Sequence, residues 1–343
     1  SKTMARVVNP IYDTVFKYIM QDPRVAKVLI GNILNTKIVD ISMNNNEYST
    51  TLPNGKHIFK LDFSATILNK DNQKQLIHIE VQKALESGEI MRFREYLGAL
   101  YMDRTKCDKE IIPTYKGKTK EIEHPYPIHS IYILGHELGD GLKYSVMKGE
   151  NVFFDQQGNV INVPENNDYI KGLTHKVTFV IAPLTKNNVK THLDKLLTIF
   201  CECNPQDPKQ EIEIDEYFDD SEDYKILIKA LQKASGDKQL QGNLSLEQYA
   251  WKNFIDLETE NKDLKEIVGE QKSQIVEQQN QLVEQQNQLV EQQNQLVEQE
   301  NKLIEKENQI RKTVKKLNQL GESIEDIAKF LSIDIQKVEE YLK

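Results

Sequence analysis

Asp62 and Glu80 are acids set in unlikely company. Asp62 stands in the apolar run LDFSATIL (61–68), and Glu80 in IHIEVQ (77–82), two residues before Gln82. Buried carboxylates are costly unless something compensates them. Strand alternation puts Glu80 and Gln82 on one face with His78, turns Lys83 away, and gives Asp62 the same face as Lys60. The polar segment NKDNQK (69–74) suits a hairpin turn that brings Asp62 close to Glu80. Two adjacent carboxylates with no positive charge nearby repel, and one is driven towards protonation. A Mg²⁺ between them removes that cost through hard oxygen ligands, and it can activate water and stabilise charge on a phosphoryl oxygen. Spacing alone leaves a second reading open, in which one acid pairs with Lys60 or an arginine.

Other residues could serve the same chemistry. Arg92 and Arg94, near the start of the helical stretch EIMRFREYLGALYMDRT (89–105), could hold a phosphate bidentately. They could equally be surface charges paired with Glu89 or Glu95. Lys60 could approach the cation site, whereas Lys83 reaches it only if a bulge re-aims it. Asp13, at a helix start, reads by itself as a charge complementing the helix dipole. His78 reads as a satisfied strand residue. GHEL (135–138) lacks the second histidine of a zinc-protease helix.

The elements that position these residues can be read in outline. NPIYDTVFKYIMQDPRVAKVLIGNIL (9–34) has apolar residues at near-helical spacing, broken near Pro23. Strands are expected at 57–69, 75–83, 129–138, 144–154 and 175–184, with an amphipathic helix at 187–202. Residues 1–205 thus form one α/β unit. Residues 206–268 read as an acidic connector followed by helices, since 211–223 holds eight acids in thirteen residues without EF-hand spacing.

VEQQNQL then repeats at 276–282, 283–289 and 290–296, with a diverged copy at 297–303. A seven-residue period over 269–312 predicts a long helix that supercoils with a partner, a parallel homodimer with Val290 at d and Asn287 and Asn294 at a. A disordered Gln-rich segment is the other reading. Residues 313–343 have the spacing of two short helices, resembling a helix-turn-helix, with Ser323 as a cap and SID as the turn. Whether that end binds DNA or protein is open.

Four stretches, NPIYDTVFKYIM, LDFSATI, IEVQKA and IMRFREYLG, together resemble the PD-(D/E)XK nuclease superfamily. Within it they are most similar to the bacterial Rpn-like family of recombination-promoting nucleases and transposase-like proteins. The resemblance covers about residues 4–205. It implies a restriction-endonuclease-like αβββαβ core with a mixed sheet. It further implies DNA as substrate, and Asp62 and Glu80 as ligands of catalytic Mg²⁺, with Mn²⁺ as a substitute. Asp13 becomes an extra acid of that site. Gln82 stands where the superfamily lysine usually sits. E-x-Q variants are common in the family, and which basic group replaces the lysine stays open. The expected function is therefore a Mg²⁺-dependent DNA endonuclease; the alternative is an inactive relative serving as a coiled-coil scaffold.

Composition sets the bounds. The 343 residues carry a net charge of −9, but residues 1–120 hold 19 Lys and Arg against 13 Asp and Glu. The basic excess thus lies in the same third as Asp62 and Glu80, as phosphate recognition would require. No apolar run of about 18 residues predicts a membrane span, and no charged segment followed by an apolar stretch predicts export. The three cysteines, Cys107, Cys201 and Cys203, read as reduced thiols of a cytoplasmic protein.

Overall fold

The computed structural model describes residues 3–44, 47–52, 55–83, 89–204 and 206–343, with backbone alone for 48–52, 55–60 and 89. Strand β1 is Met4–Val8. The helical run over 9–34 divides at the proline, into α1 (Asp13–Met20) and α2 (Pro23–Leu34). Proline fits a first helical turn, where its missing amide has no partner to lose, and Asp22 caps α2 by accepting from the Arg24 amide.

Strand β2 is Ile38–Met43, and β3 (Glu47–Leu52) pairs antiparallel with β4 (Gly55–Lys60). The strand expected at 57–69 is two strands, because the chain breaks at Leu61 and Asp62 before β5 (Phe63–Asn69). Leu61 is fully buried against Leu76, Tyr96, Leu100 and Ile128. Alternation therefore does not carry from Lys60 to Asp62, and the Lys60 side chain lies outside the described residues.

Strand β6 (Lys74–Gln82) pairs antiparallel with β5, and α3 (Glu89–Met102) follows. Then come the hairpin β7 (Cys107–Pro113) and β8 (Thr119–Pro125), and β9 (Ile128–Leu134). Next are β10 (Val146–Gly149), the short β11 (Phe153–Phe154) and β12 (Val160–Ile161), α4 (Asp168–Leu173) and β13 (His175–Ile181). Helix α5 (His192–Leu197) is shorter than the expected 187–202: a capping box between Thr191 and Asp194 starts it, and a 3₁₀ turn over Thr198–Phe200 ends it.

The central sheet has six strands in the order β10-β13-β9-β6-β5-β2 and is mixed, with β6–β9 and β9–β13 parallel. On β6, Ile77, Ile79 and Val81 enter the main core with Val15, Phe16 and Leu29 of α1 and α2. Leu76 lies in a second cluster with Tyr96 and Leu100 of α3. Helices thus cover the sheet on both faces.

The segment beyond 205 corrects the expected connector. Glu211–Asp215 is strand β14, paired with β1, and its Ile212 and Ile214 are buried between outward acids. Ser221 caps α6 (Glu222–Ser235), whose Tyr224, Leu227 and Leu231 join the core. Helix α7 (Lys238–Gln319) adds Leu240, Leu244 and Trp251 to the same core. The first compact unit is accordingly Ser1–Glu258, and the boundary expected at 205 falls inside it.

The second unit is Thr259–Lys343. It holds the remainder of α7, one continuous helix through all the repeats, then α8 (Ile324–Leu331) and α9 (Ile335–Leu342). Ser323 caps α8, Ser332 takes the left-handed turn at φ 57°, and Asp334 caps α9. Val314, Ile327, Ala328, Val338 and Tyr341 form its core.

Candidate active site

The β5–β6 register places Phe63 opposite Ile79, so the chain entering β5 meets the end of β6 at Asp62 and Glu80. Each carboxylate takes the other strand's amide. The Asp62 N–H donates to Glu80 Oε1 at 3.2 Å, and the Val81 N–H donates to Asp62 Oδ2 at 2.9 Å. The two acids thus share one point on the hairpin, as their spacing predicts.

His78 fixes the orientation of Glu80. Its Nε2 lies 2.8 Å from Glu80 Oε1 and its Nδ1 3.3 Å from Ser130 Oγ. Burial pushes the His78 pKa down to about 4, so the ring is neutral at neutral pH. While Glu80 is ionised it only accepts, which puts the proton on Nε2 and leaves Nδ1 to accept from Ser130.

Asp62, Glu80 and Gln82 line a cavity of about 360 Å³ at the end of β6, walled by α1, α3 and residues 247–254 of α7. Helix α1 contributes Asp13 and Lys17, with Lys17 Nζ 3.2 Å from Asp62 Oδ1. Helix α3 contributes Arg92 and Tyr96, and Arg92 Nη2 lies 3.5 Å from Gln82 Oε1. Helix α7 contributes Glu247, Trp251 and Phe254. The Glu247 carboxylate accepts from the Thr14 amide at 3.1 Å, tying α7 to the start of α1.

Lys83 corrects the strand-alternation argument. It lines the cavity with its ammonium 3.6 Å from Asp13 Oδ1 and 3.8 Å from Glu247 Oε1. It lies one residue past β6, and beyond a strand's last residue the sheet no longer separates its two faces. The cavity therefore collects Gln82 from one side and Lys83 from the other. Gly135 holds this end in place, its amide donating to the Gln82 carbonyl at 2.6 Å.

Electrostatics single out the same point. Burial, reinforced by repulsion from Glu80, pushes Asp62 up to about 6 despite Lys17. Burial pushes Glu80 up to about 7, although the Asp62 amide and Arg92 oppose the shift. Burial likewise drives Glu247 to about 7 against the pull of Lys83, and burial with Asp62 raises Asp13. Burial disfavours the Lys17 ammonium, but Asp62 and Asp13 outweigh it and hold its pKa above the ordinary lysine value. Perturbed carboxyls gathered in one cleft are the expected mark of a functional site.

Asp62, Glu80, Gln82, Asp13, Lys83 and Arg92 therefore meet in one cavity, and Asp13 both opens α1 and faces the acids. Arg94 is exposed and is not among the lining residues. Lys17, Glu247 and Trp251 went unread in the sequence. Lys17 follows Asp13 at the i,i+4 spacing that shares a helix face, as Trp251 follows Glu247, but nothing in the sequence joins those pairs to Glu80. A larger cavity, about 540 Å³, lies at the starts of β6, β9 and β13 and contains none of the predicted residues.

Among the described residues, no group of three or more His, Cys, Asp or Glu side chains is arranged to hold a metal ion. Asp62 and Glu80 nonetheless fit a hard divalent cation by donor type, being buried oxygens whose shared negative charge is under-compensated. No helix among the described residues is long and apolar enough to cross a membrane. Fold and site together define an α/β protein with a mixed six-stranded sheet and a carboxylate-lined cleft at one end of it. Comparison with protein-family models, curated proteins and solved structures finds no match for the chain.

Proposed function

We propose that this protein is a Mg²⁺-dependent DNA endonuclease, akin to the recombination-promoting nucleases its sequence resembles. The observation that carries the reading is the convergence of Asp62 and Glu80 on one point of an open cavity, both with raised pKa. Asp62 and Glu80 would hold the cation. When bound there, Mg²⁺ or Mn²⁺ would offset the paired negative charge and supply Lewis-acid stabilisation to a phosphoryl oxygen.

The chain's own groups then have separable tasks. His78 keeps Glu80 in one rotamer by donating to it. Lys17, held by Asp62, brings a permanent positive charge to the acids and is the best-placed substitute for the missing motif lysine. Arg92 offers a planar fork to a phosphate and Gln82 a neutral donor beside it. The heptad repeats would pair two chains, so that two such clefts serve one DNA.

The Lys17–Asp62 ion pair also favours a second reading, since it compensates part of the buried charge without any cation. In that reading the protein is a non-catalytic scaffold acting through its coiled coil. Nicking of supercoiled plasmid with Mg²⁺ tests the choice: parent protein should cut, and Glu80→Ala should not. Folded parent protein that leaves plasmid intact with both Mg²⁺ and Mn²⁺ overturns the nuclease reading. A melting shift with Ca²⁺ that vanishes in Asp62→Ala would support the cation site independently of cleavage.

A further inference from the structure

Trp251 is the only tryptophan of the chain. It is about 5% exposed and lines the carboxylate cavity, yet its indole Nε1–H has no hydrogen-bond acceptor among the described residues. An indole nitrogen only donates, and a buried donor left unpaired is costly. Of the five buried side-chain polar atoms without a hydrogen-bond partner among the described residues, three belong to side chains lining this one cavity: Trp251 Nε1, Glu247 Oε2 and Asp13 Oδ1. Asp13 Oδ1 keeps its ion pair with Lys83 at 3.6 Å, so the unfilled capacity at this cavity is Trp251 Nε1 and Glu247 Oε2.

Cationic groups stand beside Trp251, although Lys83 also serves Asp13 and Glu247. The Lys83 ammonium is 5.8 Å from the Trp251 ring centroid and 5.7 Å from that of Tyr12, so it is held against both rings. Tyr12 and Trp251 meet edge to face at 5.3 Å, which fixes the indole. Arg92 and Lys17 supply further positive charge to the cavity, while Tyr96 and Phe254 give it an apolar wall. A bare phosphate leaves that wall unused, whereas the sugar and base of a nucleotide cover it.

We propose that Trp251 contacts the substrate, its indole N–H donating to a phosphate oxygen of a nucleic-acid strand lying beside the Lys83 ammonium. The assignment rests on the phosphodiester reading of the cavity and adds to it a contact from α7, outside the residues 4–205 that carry the sequence resemblance.

The sole tryptophan makes the test direct. Full-length protein is titrated with a short end-labelled oligodeoxynucleotide, once with Ca²⁺ in place of Mg²⁺ and once with EDTA, reading indole emission and label anisotropy together. Indole emission should change saturably, with the same midpoint as the anisotropy. Trp251→Phe keeps a ring beside Lys83 and Tyr12 but loses the donor, and should weaken binding about ten- to a hundredfold, the worth of one hydrogen bond to a charged group. Should that variant melt early, the parent's emission titration alone decides. Emission that stays constant while the strand saturates overturns the contact, as does unchanged affinity in a folded Trp251→Phe. So does an absence of strand binding in both conditions, or inorganic phosphate alone producing the whole emission change. Equal binding in Ca²⁺ and EDTA with a responsive indole supports Trp251 while removing the cation site; a Ca²⁺-induced melting shift with a silent indole does the reverse.

Discussion

Glu80 serves two demands that conflict while it is ionised. It must accept from His78 and from the Asp62 amide, which anchors it, and it must do so where water barely reaches its charge. Asp62 and Glu80 titrate higher in the folded chain, near 6 and 7, than as free side chains, so the folded state binds more protons in between. Their contribution to stability is therefore complete below the ordinary carboxylate range and is lost as pH rises through about 6 to 7. Denaturant melts at about pH 5 and about pH 8 should show Glu80→Gln more stable than the parent at the higher pH and nearly level with it at the lower. At about 1.4 kcal/mol per pKa unit the gap is expected to reach a few kcal/mol. A parent–variant difference that stays flat with pH removes the buried-charge account. The two acids were legible because strand period and a hairpin turn are local rules. Lys17 was not, because its partner is set by how α1 docks on the sheet, which no local pattern in the sequence encodes.

At the scale of elements, the site depends on where β6 stops. A Cβ added to Gly135, just after β9, would lie 2.5 Å from the Lys83 carbonyl oxygen and 3.0 Å from that of Gln82. Both contacts are with backbone, which cannot swing aside as a flexible side chain would. Gly135→Ala should therefore force β9 and the end of β6 apart, break the Gly135–Gln82 hydrogen bond and displace Lys83 from its two acids. The expected cost is about 1–3 kcal/mol by chemical denaturation, together with loss of any cation-induced melting shift. An alanine variant that melts and binds as the parent does would mean that this contact positions nothing. The hairpin and the proline break between α1 and α2 could be read in advance, because turn residues and proline act on their neighbours. The split between β4 and β5 could not, since Leu61 leaves the strand to reach α3 and that pull is tertiary.

The whole molecule divides later than its composition suggests. Eight acids over 211–223 looked like a solvated connector, yet the alternation EIEID is a strand with isoleucines inward, and burial outweighed the charge. A fragment ending at 205 lacks the strand that pairs with β1 and the α6 side chains that cover α1 and α2, so it should show no cooperative melt, whereas residues 1–258 should melt as one unit. The repeats raise a different question. Leu282, Val283, Leu289 and Val290 are each more than half exposed on α7, an apolar stripe interrupted by polar residues in every heptad and with no covering group among the described residues. Such a stripe on a long helix is expected to seek another helix. In the proposed homodimer Val283 and Val290 sit at d while Asn287 and Asn294 sit at a, so polar layers limit affinity and favour two chains. Sedimentation equilibrium should then show a dimer that dissociates on dilution, and Val283→Glu with Val290→Glu should leave monomer. Asn287→Ile with Asn294→Ile should tighten association and admit larger assemblies, because the residues that fixed the number are gone. Monomer at every concentration, with helicity unchanged, would mean that the stripe is covered by a different protein or by nothing.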